Sequence, residues 1–228
     1  MNFTLEKVQK KIEKLNISKA TGPDEIPARL LKQHSDQFAP MLVKIFQRSY
    51  AEGIVPQDLK LANITPIYKG GSKKCPGNYR PISITPIVAK IFESIIYDDL
   101  VEHVEKHKII TPLQHGFQKK KSTTTNLLEF WDKITEIADK KQALSIVYTD
   151  LKKAFDTVPH DLLLAKLEHY GIRNRTLAWI TNFLEDRKQR VVLNGESSDY
   201  GLVESGVPQG GTLSGLFFIL YMNDLQNI

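Results

Sequence analysis

The stretch QALSIVYTDLKKAFDTVPH, residues 142–160, decides how the rest of the chain is read. Its apolar run, Leu144 with Ile146, Val147 and Tyr148, is rich in β-branched and aromatic types and predicts a buried strand over 142–151. The run ends on Asp150. Side chains alternate along a strand, so Asp150 shares a face with Ile146 and Tyr148. A carboxylate at the mouth of a buried strand is costly unless a cation, hydrogen bonds or a metal ion compensates it. Plainer roles exist for each residue here. Asp150 can cap the turn into Leu151, Asp156 can cap the helix that follows Pro159, and Phe155 can fill a core.

Outward from this stretch, helices and strands mix. Leu5, Val8, Ile12 and Leu15 recur at helical spacing, and Gly22-Pro23 ends that pattern. Short helices are predicted from Ile26 to Lys32 and from Phe38 to Tyr50. LANITPIYKG, residues 61–70, predicts a strand broken at Pro66. A basic Gly/Pro-rich loop follows it. Val88, Ile91, Ile95 and Leu100 predict a helix with one apolar side. Ser122 and its threonine neighbours suit the cap of a helix whose apolar face is Leu127, Trp131, Ile134 and Ala138. After Pro159 come a helix stopped at Gly171, another over 173–187, two short strands around a Gly/Ser loop, and a glycine turn into an apolar helix. No regular βαβ alternation exists, so the class is α+β.

Bulk properties narrow the function classes. The chain has 228 residues, room for one large domain or two modest ones. Charged residues make up 25% and apolar residues 41%, which is globular rather than disordered composition. Net charge is +5 and the pI about 9.1, a mild basic excess that suits a polyanion partner. The single cysteine, Cys75, excludes an internal disulfide and a Cys-based zinc cluster, and favours a reducing, intracellular compartment. No apolar run approaches the roughly 18 residues of a membrane span. The N-terminus lacks a signal peptide's apolar block, and a membrane partner is not expected. The histidines are scattered and receive no role.

Several blocks, in order, make the chain resemble the reverse transcriptases of non-LTR (LINE-type) retrotransposons. SKATGPDEIPARLLK (18–32) resembles their N-terminal block and NYRPISITPIVAKIFE (78–93) their fingers signature. GFQKKKSTTTNLL (116–128), YTDLKKAFDTVPHDLLLAKLEHYGI (148–172), RKQRVVLNG (187–195) and SGVPQGGTLSGLFFILYMNDL (205–225) are similar to the blocks that follow. The resemblance implies right-hand polymerase architecture: fingers with a partial palm, the thumb absent. Residues 1–141 would be an N-terminal and fingers-like region. Residues 142–228 would be an incomplete palm with a fingers-like insertion around 172–205.

It also implies template-directed addition of deoxynucleoside triphosphates to a DNA primer on an RNA template, with two magnesium ions. Asp150 matches the first metal-binding aspartate, with the backbone carbonyl of Leu151 as a neighbouring ligand. Phe155 matches the aromatic gate whose ring crowds a ribose 2′-hydroxyl. Arg80 matches the arginine that holds the triphosphate, a task suited to a guanidinium fork. Lys69 is a second phosphate contact, for which Lys73 or Lys74 are open alternatives. Pro208, Gln209 and Gly210 match a turn against nucleotide and template. Lys119, Lys120 and Lys121 could follow a nucleic-acid backbone, as could Arg187, Lys188 and Arg190, although such runs are most often solvated surface.

Departures from the pattern are small except for one. Gln118 stands where an arginine is usual and Gly215 where a proline is usual. The large departure is that no aromatic-x-Asp-Asp follows Asp150. Tyr97-Asp98-Asp99 precedes it, inside a helical pattern. A single carboxylate does not hold two magnesium ions against their hydration. The expectation is therefore a polymerase fragment that does not polymerise alone and whose partner is the remaining palm and thumb. The alternative is an inactive retroelement remnant that binds nucleic acid or protein.

Overall fold

The Thr4 hydroxyl accepts from the Lys7 N–H and starts α1 (Leu5–Glu13), which buries Val8 and Ile12. This computed structural model describes residues 1–225. α1 lies against α3 (Ser35–Glu52), reached through the short α2 (Ala28–Gln33), and against α4 (Ile87–Lys106). Lys11 pairs with Asp98 at 2.6 Å and Lys7 with Asp99 at 3.4 Å. The Tyr97-Asp98-Asp99 sequence thus belongs to a helix–helix contact, as its place in a helical pattern predicts. α4 buries residues right round its axis, including Ile87, Ala89, Ile91, Phe92, Ile95 and Ile96. The first half of the helix is therefore central, and the one-sided face expected for it is too narrow there, while Asp98, Glu102 and Glu105 keep the second half partly solvated. Phe92 stacks on Phe46 at 4.3 Å and meets Trp179 edge-on at 4.9 Å.

β1 (Leu61–Tyr68) and β2 (Tyr79–Ile84) form an antiparallel hairpin, with Ile67 opposite Arg80. β3 (Lys188–Leu193) joins β1 in parallel from residue 61 to 64. β4 (Glu196–Ser197) and β5 (Gly201–Leu202) pair with β3 and complete a five-stranded sheet. Pro66 lies beyond the reach of β3, so its missing N–H breaks no ladder bond there. α6 (His160–His169), α7 (Asn174–Leu184) and α8 (Ser214–Met222) close the fold. One apolar core runs from Phe3 to Leu220 and takes residues from both halves of the chain. The α+β class holds. None of the helices is long and apolar enough to cross a membrane, among the described residues.

Further expectations fail: β1 runs unbroken through Pro66, which stands opposite Pro81, and two more concern 142–151 and α5. Residues 142–151 form no strand. A strand is held by backbone bonds to neighbours, and every strand of the sheet among the described residues pairs elsewhere. The apolar run therefore lies open, with Val147 84% and Tyr148 78% exposed. The Tyr148 ring lies 6.0 Å from that of Phe130 on α5 (Thr123–Asp139). The apolar face predicted for α5 is likewise uncovered, since the helix buries no residue. It is sustained by local chemistry instead. Ser122 and Thr125 form a reciprocal capping box, and Lys133–Glu129 and Lys140–Glu136 pair along its length.

Candidate functional site

Two segments far apart in sequence are locked together beside β2. The first is 155–160, the second the turn at 205–211. The Val207 N–H donates to the Phe155 carbonyl and the Gly206 N–H to the Val158 carbonyl, each at 2.8 Å. The Ser205 hydroxyl donates to the Asp156 carbonyl at 3.0 Å. His160 Nε2 donates to the Gly206 carbonyl at 2.8 Å. The close approach needs Gly206: its φ is +85°, and a Cβ there would lie 2.7 Å from the Asp156 backbone.

Gln209 is fixed twice. Its side-chain amide donates to Asp156 Oδ1 at 3.0 Å, and its carbonyl accepts from the Ser83 N–H of β2 at 2.8 Å. Gly210 follows at φ +115°, where a Cβ would stand 2.9 Å from the Ser83 carbonyl oxygen. Phe155 is half-buried. It stacks on Phe218 of α8 at 4.7 Å and meets Phe117 edge-on at 5.7 Å. Gly215 leaves room for that arrangement, because a Cβ on it would fall 2.7 Å from the Phe117 ring. Beside the turn opens a cleft of about 380 Å³, with Pro81, Ser83, Asp156, Arg187 and Gln209 in its wall.

The other predicted residues are placed as follows. Arg80 and Lys69 lie exposed on or next to the β1–β2 hairpin, and neither side chain makes a hydrogen bond or ion pair among the described residues. Arg80 alternates to the face opposite Pro81 and Ser83, so it does not share their cleft. Asp150 and Leu151 are exposed on the unpaired segment. Among the described residues no hydrogen bond or ion pair joins their side chains to Arg80 or Gln209. Lys119 and Lys120 are exposed, whereas the Lys121 ammonium is committed to the carbonyls of Pro112 and Gln114. Lys121 is thus a loop fastener rather than an open cation. The run at 187–190 also departs from a solvated surface. Arg187 is 2% exposed, and Arg190 donates to Asn63 at 2.9 Å.

Electrostatics centre on Glu93 of α4, 2% exposed. Burial pushes its carboxyl above the usual range; Arg187 and the N–H groups of Leu213 and Thr212 act the other way. Burial likewise works against the charge of Arg187, and Glu93 supports it. His103 and His107 stand four apart on α4, a spacing that can suit a metal. Here His103 Nε2 donates to the Tyr170 carbonyl and His107 Nδ1 to the His103 carbonyl. Among the described residues no three His, Cys, Asp or Glu side chains are gathered to hold a metal ion. Asp150 with the Leu151 carbonyl does not by itself fit a pair of magnesium ions, which need a full oxygen shell.

The family described as reverse transcriptase (RNA-dependent DNA polymerase) matches residues 67–228. The chain is similar to the RNA-directed DNA polymerase from mobile element jockey of Drosophila funebris, 30% identical over 98% of this chain and 24% of that protein. It is 28% identical to the probable RNA-directed DNA polymerase from transposon BS of Drosophila melanogaster, over 97% of this chain and 24% of that protein. A Pol polyprotein from type-1 retrotransposable element R2 of Popillia japonica is 29% identical over 76% of this chain and 24% of that protein. The chain spans about a quarter of the length of these relatives.

Proposed function

The chain belongs to the reverse transcriptase (RNA-dependent DNA polymerase) family, in its non-LTR retrotransposon branch, and on that premise we propose that it is the nucleotide-selecting part of a template-directed DNA polymerase. The observation that carries this is the interlock of Phe155 and Asp156 with the Gln209 turn and β2. Phosphoryl transfer depends on positioning and charge stabilisation more than on covalent help. A rigid aromatic edge and a fixed amide beside an arginine-bearing hairpin are parts suited to positioning.

In this reading β1 and β2 belong to the fingers, and the segments at 142–160 and 205–225 to a partial palm. Arg80, with Lys69 beside it, takes the triphosphate of an incoming deoxynucleotide. Phe155, backed by Phe218, presents its ring to the sugar and excludes a 2′-hydroxyl. Gln209 and Gly210 flank the nucleotide and template. Lys119 and Lys120 follow the phosphates of the RNA template or DNA primer. Magnesium, when bound, would stabilise charge on the transferring phosphates. Asp150 and the Leu151 carbonyl would give it one carboxylate and one neutral oxygen. No aromatic-x-Asp-Asp follows Asp150 in this sequence, so these two groups by themselves make a half-site.

The test is titration of the 228-residue chain, on a primed RNA template, with a deoxynucleoside and a ribonucleoside triphosphate. Tighter binding of the deoxynucleotide is expected, with a loss of about tenfold or more in Arg80→Ala. Equal binding of both sugars, unaffected by Arg80, would sink the proposal. In the same mixture, magnesium-dependent extension of the primer is not expected. Extension that disappears in Asp150→Ala would overturn the half-site reading.

A further inference from the structure

A core carboxylate on one helix does the work of a cap for another. Leu213 stands at the N-cap of α8 and gives it no side-chain cap. The amides at its start need acceptors. Glu93 Oε2, from the middle of α4, accepts from the Thr212 N–H at 2.8 Å and lies 3.3 Å from the Leu213 N–H. Its formal countercharge is Arg187, equally buried, yet the two do not meet as an ion pair. The Arg187 guanidinium lies 4.8 Å over the Phe183 ring, and its Nη1 has no hydrogen-bond partner. Two buried charges held apart in this way are a poor source of stability, and an apolar pair would serve a plain core as well or better. What an apolar pair does not supply is an acceptor for the two amides.

Those amides sit between the two halves of the candidate site. On the N-terminal side, Gly211 donates to the Pro208 carbonyl at 3.0 Å and closes the turn that carries Gln209. On the C-terminal side, α8 carries Phe218, the ring on which Phe155 stacks. Residue 211 is hemmed in as well, since a Cβ there would lie 3.4 Å from Glu93 Oε2 and 2.7 Å from Ser214 Oγ. A shift of the 212–213 backbone therefore moves the Gln209 amide and the Phe155 ring together.

We propose that Glu93 is a positioning residue for the nucleotide site: its buried carboxylate holds the main chain at 212–213, with Arg187 as countercharge, and so sets both Gln209 and the Phe155–Phe218 stack. The functional part of this rests on the reading of Phe155 and Gln209 given above.

Two double variants separate the acceptor from the charge. Glu93→Gln with Arg187→Met keeps an oxygen for the amides and removes both charges of the pair. Glu93→Leu with Arg187→Met removes both charges of the pair and the acceptor as well. Hydrogen exchange is followed at Thr212 and Leu213, with Ile95 and Ile96 of α4 as internal controls. The glutamine variant is expected to keep its protection at 212–213 and the preference for a deoxynucleotide. The leucine variant is expected to lose about tenfold or more in protection there, the scale of one lost hydrogen bond, with α4 unchanged and the sugar preference weakened. Equal protection in the two variants would overturn the proposal. So would unfolding of both, since the site would then need the charge pair rather than the acceptor. Exchange is read without nucleotide, so a clear difference at 212–213 with no nucleotide preference in any form would retain Glu93 as the cap and discard the nucleotide reading.

Discussion

Gly206 is the residue on which the two motif segments meet. It is buried, with φ +85°, and atoms of the Phe155 and Asp156 backbones surround the place a side chain would take. Gly206→Ala therefore meets a backbone penalty and a contact that no rotamer relieves. The expected cost is about 1–3 kcal/mol, read from urea unfolding, together with weaker deoxynucleotide binding, because the Gly206–Val158 and Val207–Phe155 bonds are the first to stretch. An unchanged unfolding midpoint would refute this account. At this scale Phe155, Gln209 and Gly210, which the motif blocks pick out, fall at the interlock, whereas Asp150, Leu151, Arg80 and Lys69 do not join it. Asp156 was legible only as a possible cap, because its bond to Gln209 spans a sequence separation of 53. Nothing in the sequence marks Glu93 or His160. A glutamate in a helix that also carries Lys90, Asp98 and Asp99 looks the same buried or exposed, as does Arg187 in its basic run.

α5 is held by its termini and its own side chains rather than by packing, so its stability should follow those groups. The Glu129 carboxyl is held below its ordinary value, chiefly by hydrogen bonds from Lys133 and His115. A carboxyl depressed in the folded state stabilises above its unfolded pKa, here 4.5, and that contribution is lost as pH falls through the lower folded value. Exchange protection of the α5 amides should hold near neutral pH and fall in acid, while α4 stays protected through the same range. Glu129→Gln should remove most of the acid step; an identical acid profile in that variant would exclude Glu129 as its cause. The capping box at Ser122 was legible from the sequence because a cap is local. The strand over 142–151 was not, for the opposite reason. Periodicity and β-branched residues record what would suit a strand, but a strand exists only where a neighbour pairs with it.

Among the described residues the molecule joins a continuous core to an uncovered apolar face. Phe3 through Leu220 share the core, so α1, α4, α7 and α8 should unfold together. The uncovered face is made by the 144–151 segment and α5, where Ile146, Val147, Tyr148, Leu127, Leu128 and Trp131 are all exposed. Contiguous apolar surface of this kind marks association, and the unpaired backbone at 143–150 adds donors and acceptors free to template a strand. Burying one such side chain contributes about 1.5–3 kcal/mol, and association costs about 4–15 kcal/mol in lost freedom. A contact by one or two residues is therefore too small, and one that engages most of the face is sufficient for weak self-association. The 228-residue chain should sediment as a concentration-dependent mixture of monomer and larger species. Val147→Lys with Trp131→Lys should return it to monomer without lowering the cooperative melt of the core, because neither side chain belongs to that core. A chain that remains monomeric at every concentration, with the 143–150 amides protected from exchange, would mean that this segment finds its cover within the same molecule.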